Sequence, residues 1–215
     1  MSQTALVEIL SNGLRQLNLA QPIDEKQQAK LIKYVELLNK WNKTYNLTAV
    51  RKPEQMVTRH LLDSLSICPY LRGKSVLDVG TGAGLPGIPL AIVFPERQFT
   101  LLDSNNKKTR FVVQAVSELE LPNVGVVQSR VEEFETEEPF DTITTRAYSA
   151  ISDMVQQTSH LMARDGIFLA MKGANPIAEL EELPPSYLVE ESHLINVPGL
   201  DEERHLLEIK IKGAL

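Results

Sequence analysis

A single cysteine, Cys68, in 215 residues means that no internal disulfide can form, and nothing in the chain calls for an oxidising compartment. Long hydrophobic runs are missing as well. The longest uncharged apolar stretch, Leu85 to Pro95, carries three prolines and is too short to cross a bilayer. Met1-Ser2-Gln3-Thr4 offers neither a basic leader nor the apolar core of a secretion signal. These shortages point to a soluble cytoplasmic protein with no membrane partner. The four histidines, His60, His160, His193 and His205, lack the spacing of a catalytic or metal set, so no metal is expected. Internal repeats and low-complexity segments are absent too.

Positive charge is scarce overall: the formal net charge is −6. The average conceals an asymmetry. Residues 1–74 hold 11 Lys/Arg against 6 Asp/Glu, whereas residues 75–215 hold 11 against 22. A basic appendage on an acidic body is compatible with a local polyanion-binding face, and equally with a solvated helical surface.

The first 70 or so residues read as helical. Leu31, Tyr34, Val35, Leu38 and Trp41 recur at spacings of three and four, and Asp24 with Gln27 forms a capping-box pattern. A further helix is expected to start near Pro53. Between the two, Asn42 to Thr48 reads as a polar connection. After Gly73, short apolar runs alternate with helical segments. Ser75–Val79, Phe99–Leu102, Gly125–Gln128, Thr142–Thr145 and Gly166–Met171 are strand candidates; Asn106–Leu119 and Ala150–Leu161 are helix candidates. Such alternation implies a parallel sheet covered on both faces. Tyr187–Asn196 and His205–Ile211 have no helix between them and are expected to close the sheet as an antiparallel pair. The division is thus 1–70, a helical extension, and 71–215, an α/β domain.

The most informative segment is Val76-Leu77-Asp78-Val79-Gly80-Thr81-Gly82-Ala83-Gly84-Leu85-Pro86-Gly87, an apolar strand running into a glycine turn. Glycines allow positive φ and let a ligand approach the backbone. Asp103 ends a second apolar strand 19 residues after Gly84, the spacing that sets a carboxylate beside ribose hydroxyls. Gly82 to Gly87 also satisfies the dinucleotide fingerprint, so an NAD-type oxidoreductase is an alternative. Against it, Pro86 and Pro89 remove amide donors from the turn that would hold a pyrophosphate. S-adenosylmethionine has no phosphates to hold. Asp78 is placed to face its positive centres, or equally to bond the turn's own amides.

These residues resemble the first two motifs of class I S-adenosylmethionine-dependent methyltransferases. The match narrows with Trp41-Asn42-Lys43-Thr44-Tyr45-Asn46-Leu47-Thr48, Arg59-His60-Leu61-Leu62-Asp63-Ser64, Leu85-Pro86-Gly87-Ile88-Pro89, Ser129-Arg130-Val131-Glu132-Glu133-Phe134, Arg146-Ala147, Met171-Lys172-Gly173 and Glu203-Arg204-His205-Leu206. Together they are similar to the bacterial small-subunit ribosomal RNA guanine-N7 methyltransferases, the glucose-inhibited division protein B family. The resemblance implies a Rossmann-like, mostly parallel seven-stranded sheet with an N-terminal helical extension. It also implies S-adenosylmethionine as methyl donor, and 16S rRNA in the small ribosomal subunit or its assembly intermediate as partner. It assigns Gly80, Leu85 and Arg146 to the cofactor pocket, Asp103 to the ribose, and Val131 and Glu132 to adenine. One cofactor pocket per chain gives no need for a dimer, so a monomer is expected; a small-molecule methyltransferase is a further alternative.

Guanine N7 has a free lone pair, so no general base is expected. Thr145-Arg146-Ala147-Tyr148 lacks the paired prolines common where exocyclic amines are methylated, and Cys68 precedes the first strand, far from the place of a pyrimidine nucleophile. N7 faces the deep groove of A-form RNA, so the target should lie in a loop or be turned outward. Lys40, Lys43, Arg51, Lys52 and Arg59, with Lys107, Lys108, Arg110 and Lys172, are the candidate RNA contacts; each alone reads as ordinary surface charge.

Overall fold

The computed structural model describes residues 3–17, 19–146, 148, 150–173 and 176–213; Ala147, quoted above, lies outside the described residues. Its centre is a seven-stranded sheet: β1 (Ser75–Val79), β2 (Gln98–Asp103), β3 (Val124–Gln128), β4 (Phe140–Thr145), β5 (Met162–Lys172), β6 (Tyr187–Leu194) and β7 (His205–Ile211). The order is β3-β2-β1-β4-β5-β7-β6. β7 runs antiparallel to β5 and β6, and the pairs from β3 to β5 are parallel. The chain reverses its direction across the sheet between β1 and β4, which opens a crevice at their carboxyl ends.

Alternate strand residues feed two cores. Val76, Leu101, Ile167, Leu169 and Leu206 enter one; Leu77, Val79, Leu102, Ile143, Phe168 and Leu207 enter the other. The first core also takes Leu10, Leu31, Tyr34, Leu38, Met56 and Leu61 from the helices that precede β1. These are α1 (Gln3–Leu17), α2 (Glu25–Tyr45) and a composite α3, which starts as Pro53–Met56, turns π-helical over Val57–Leu62 and ends as Asp63–Leu65. After β1 come α4 (Gly87–Val93), α5 (Asn106–Glu118), α6 (Ile151–Thr158) and α7 (Ile177–Glu181).

The start of α2 follows the capping box: the Gln27 amide donates to Asp24 Oδ1 at 2.8 Å, and the Asp24 amide donates to Gln27 Oε1 at 3.0 Å. Its end differs from the sequence reading. Asn42 to Tyr45 complete the helix, and only then does Asn46, at φ 53°, turn the chain out. Asn42 is buried because its amide holds the following loop, accepting from the Thr48 amide at 2.9 Å and donating to Val50 O at 3.0 Å. A polar side chain satisfied by the loop carries no apolar periodicity, which hid the last turn.

The short α4 ends against Asn123, just before β3. This buried amide donates to the carbonyls of Ala91, Phe94 and Arg97 at 3.1, 3.2 and 3.1 Å, closing the end of the helix and the turn beyond it. Asn123→Ala removes all three bonds, and the one to Ala91 O is buried. The substitution is expected to cost about 2–3 kcal/mol, and so to lower the melting midpoint by roughly 4–10 °C. Thermal unfolding followed by circular dichroism checks this; a midpoint within 1 °C or so of the parent contradicts it.

Candidate active site

The bend after β1 is built from the inside outward. Asp78 is fully buried, and its Oδ2 accepts from the Thr81 hydroxyl at 2.6 Å and from the Gly87 amide at 2.8 Å. Among the described residues, Asp78 Oδ1 has no hydrogen-bond partner. Burial raises this carboxyl to about 6, against the lowering effect of those two hydrogen bonds. Of the two roles open to Asp78 from sequence, the structure displays the inward one: it ties the bend to the start of α4.

Asp103, at the end of β2, closes the bend from the other side. Its Oδ2 accepts from the Gly82 amide and its Oδ1 from the Asn105 amide, both at 2.8 Å. Gly80 and Gly82 take φ of 67° and 60°, where a side chain would be strained. A Cβ on Gly80 would meet no atom within 4 Å, so this stretch of backbone faces open space.

That space is a cavity of about 200 Å³ at the carboxyl ends of β1 to β4. It brings together Gly80, Asp103, Val131 and Glu132, all four expected from sequence, and adds Ser104, Ser129, Arg130 and Tyr148. Leu85 is buried beneath the bend and is not on this wall. Each Asp103 oxygen has one amide donor, which leaves acceptor capacity for sugar hydroxyls. Glu132 is exposed at the opposite wall. The donor and acceptor set therefore fits an adenosine.

A pyrophosphate fits badly. The Gly84 and Leu85 amides donate to Thr81 O at 2.9 and 2.8 Å, the Ile88 amide to Gly84 O at 2.7 Å, and the Gly87 amide to Asp78. Prolines at 86 and 89 offer none. The bend spends its amides on itself, which argues against the dinucleotide alternative.

Arg146 lies in a neighbouring cavity of about 270 Å³, with Arg59, His60, Asp63, Lys172 and Arg204. Its Nη1 donates to Arg59 O at 3.2 Å and lies 3.4 Å from Asp63 Oδ2. Lys172 Nζ reaches Tyr148 O at 3.3 Å and Glu179 Oε2 at 2.7 Å. Sequence reasoning missed the gathering of Arg59, His60, Asp63 and Arg204 around Arg146. The signal available was the pair of motifs around residues 59–64 and 203–206, of which only Arg59 carried a stated role, as a candidate RNA contact. The other candidate contacts are dispersed. Lys43 and Arg51 are exposed by the end of α2, where Arg51 Nη2 donates to Asn46 Oδ1 at 2.9 Å. Lys107 and Arg110 are exposed on α5, while Lys108 Nζ approaches Asp103 Oδ2 at 3.8 Å.

Outside these cavities, His193 groups with Glu191 and Glu208, whose ligating atoms lie within 4.8 Å of one another, a proximity that sequence spacing did not reveal. Glu208 is already paired with the Arg72 guanidinium at 2.6 Å. Cys68 is buried, and burial pushes its thiol up to about 12, in keeping with a packing role.

The fold and the cavity at the strand-order reversal define a class I S-adenosylmethionine-dependent methyltransferase. In architecture the chain resembles a glycopeptide N-methyltransferase, MtfA, solved with S-adenosyl-L-methionine, at a TM-score of 0.61 and 12% identity over 72% of this chain and 88% of that one. Residues 27–207 match the profile of the GidB family, rRNA small subunit methyltransferase G. The ribosomal RNA small subunit methyltransferase G of Ectopseudomonas mendocina (strain ymp) is 53% identical over 205 residues, covering 94% of this chain and 95% of the relative. That of Marinobacter nauticus is 54% identical over 198 residues, covering 92% of each. The chain belongs to the rRNA small subunit methyltransferase G family.

His60 gives the site a pH signature. Burial, and then the Arg146 charge, lower its imidazole to about 4. Its Nδ1 lies 2.9 Å from Arg59 O and its Nε2 2.9 Å from the Thr48 hydroxyl. The imidazole is neutral in the fold, so its contribution is complete above the unfolded value of 6.5 and is lost as pH falls toward 4. Asp78 acts in the opposite sense, because a buried carboxyl raised to about 6 binds its proton more tightly folded than unfolded. His60→Gln separates the two. The stability advantage of the parent over this variant should shrink by about 3 kcal/mol at most between pH 7 and 4, read from urea midpoints; a pH-independent difference contradicts it.

Proposed function

We propose that this chain transfers the methyl group of S-adenosyl-L-methionine to N7 of a guanine in 16S rRNA of the small ribosomal subunit, or of its assembly intermediate, in the cytoplasm and as a monomer. The observation that carries the reading is the convergence of Gly80, Asp103, Val131 and Glu132 on one crevice, in a chain of this family. Asp103 grips the ribose, Val131 and Glu132 take the adenine edge, and Gly80 leaves its backbone bare to the ligand. The sulfonium supplies an electrophilic methyl group. Guanine N7 attacks with a free lone pair, so no side chain has to remove a proton first. The protein's task is alignment and exclusion of water, and such positioning reaches effective molarities of roughly 10⁵–10⁸ M.

The neighbouring cavity, with Arg59, Arg146, Lys172 and Arg204, supplies positive charge next to the reacting edge. The helical extension over residues 1–70, with Lys43 and Arg51, and the exposed Lys107 and Arg110 of α5 are the outer RNA contacts in this reading. The target guanine enters unpaired or turned outward.

Transfer of labelled methyl to small subunits that lack the modification, with the base mapped, tests the reading; no incorporation, or a label on another atom, rejects it. Asp103→Ala is expected to weaken S-adenosylmethionine binding by about 10–100-fold in calorimetry, the worth of losing a charged acceptor. Lys107→Glu with Arg110→Glu should raise KM for subunits and leave cofactor binding within about twofold, since neither residue touches the cofactor cavity.

A further inference from the structure

The inference rests on the reading above and concerns how the RNA backbone is held beside Arg59 and Arg204, which line the second cavity; Glu202 lines the adjoining one with Arg59. Two acids meet the cations there in different ways. Asp63 is the inner one, with a side chain only 4% exposed; its Oδ1 accepts from Arg204 Nε at 3.0 Å. Glu202 is the outer one, 47% exposed, in the segment between β6 and β7. Its Oε2 accepts from Arg59 Nη1 and from Arg204 Nη2, both at 3.1 Å, and its Oε1 accepts from Arg59 Nη2. One solvent-facing carboxylate thus bridges two guanidiniums that are far apart in sequence.

We propose that Arg59 and Arg204 form a phosphodiester-binding site for the substrate RNA, and that Glu202 is an internal stand-in which an RNA phosphate displaces. A phosphodiester offers two non-bridging oxygens and one negative charge, the same demand that a carboxylate makes on an arginine fork. The two acids differ in what their removal costs. Exposed ion pairs add little to stability and are screened by salt, so Glu202 leaves cheaply. Asp63 is buried, and parting it from its arginines would strand a desolvated charge. It therefore stays and keeps Arg204 Nε, Nη1 stays on Glu203 O at 2.8 Å, and Nη2 is the group that Glu202 would vacate. Lys172, deeper in the cavity, is already matched by Glu179, so the displaceable partner is Glu202.

The segment that carries Glu202 need not move for the exchange. It is closed at its base by the Ile195 amide donating to Arg204 O at 2.7 Å, and Gly199 takes φ of 75° in its turn. Rotation of one exposed side chain frees both Nη groups of Arg59 and Nη2 of Arg204. In a chain with a net charge of −6, an internal anion on this spot also blocks adventitious anions until a polyanion competes.

The prediction has an unusual sign: removing a contact strengthens binding. With small subunits that lack the modification and labelled S-adenosylmethionine, Glu202→Gln should lower KM for subunits about threefold or more at low ionic strength. The gain should fade as salt rises, and cofactor affinity should not change. Glu202→Ala should behave alike. Arg59→Gln should raise KM about tenfold, reduce the salt slope by about one counterion, and abolish the gain from Glu202→Gln when the two are combined. An unchanged or raised KM for Glu202→Gln overturns the proposal, because the acid then only supports the arginines. A gain that persists in the Arg59→Gln background also overturns it, since it would reflect bulk charge. If the parent transfers no methyl to subunits, the functional reading itself fails, which is a different result.

Discussion

The 2.8 Å bond from the Gly82 amide to Asp103 is the contact on which the crevice after β1 depends. It fastens the end of β2 to the bend that leaves β1, and the Thr81 amide donating to Leu102 O at 3.0 Å repeats the link one residue away. Beneath it, the buried Asp78 carboxylate joins Thr81 to Gly87. A glycine-rich bend has many conformations to lose, and two fixed carboxylates reduce them to one. The bend is thus pre-shaped: its outer face is bare backbone at Gly80, and its inner face is held by Asp78 Oδ2, with Oδ1 alone left without a partner among the described residues.

The helices before β1 support the same bend. Buried Tyr34 on α2 donates to Ala83 O at 2.7 Å, and its ring lies 6.3 Å from that of Phe111 on α5. Gln27 Nε2 donates to the carbonyls of Ile92 and Val93 at 3.1 Å, closing the end of α4. Lys30 Nζ reaches the carbonyl of Glu120, just past the end of α5, at 3.1 Å, where a cation also suits the helix dipole. Part of the basic excess noted in residues 1–74 is therefore spent on helix ends inside the protein and not on a partner.

The second cavity owes its contents to the π-helical stretch Val57–Leu62. A π turn shifts the register of the side chains around it, and such turns recur at functional sites. Here the helix delivers His60 and Asp63 to the carboxyl end of β4, where they meet Arg146, while Arg204 arrives just ahead of β7. The result is a cluster of three arginines and one buried acid beside the cofactor crevice.

The strands, the capping box at Asp24, the glycine bend and the spacing to Asp103 were legible in the sequence because they rest on local rules: period-2 and helical burial, turn chemistry, and the fixed rise of a strand. Gly80 and Asp103 follow from that topology, since a parallel sheet brings the ends of β1 and β2 to one edge, whereas Val131 and Glu132 were expected only through the family resemblance. Hidden from sequence were the last turn of α2, whose Asn42 faces a loop, and the π turn within α3, whose apolar face Met56, Val57, His60, Leu61 and Leu65 reads as ordinary helix. The placement of Arg146 was hidden too. Whether an arginine after a strand meets Asp63 depends on a residue 83 positions away, and no local pattern encodes that distance. The sequence by itself determined the fold and the glycine bend that Asp103 closes. Only the tertiary structure decided which charges face one another, because an ion pair is set by the packing that brings its partners together.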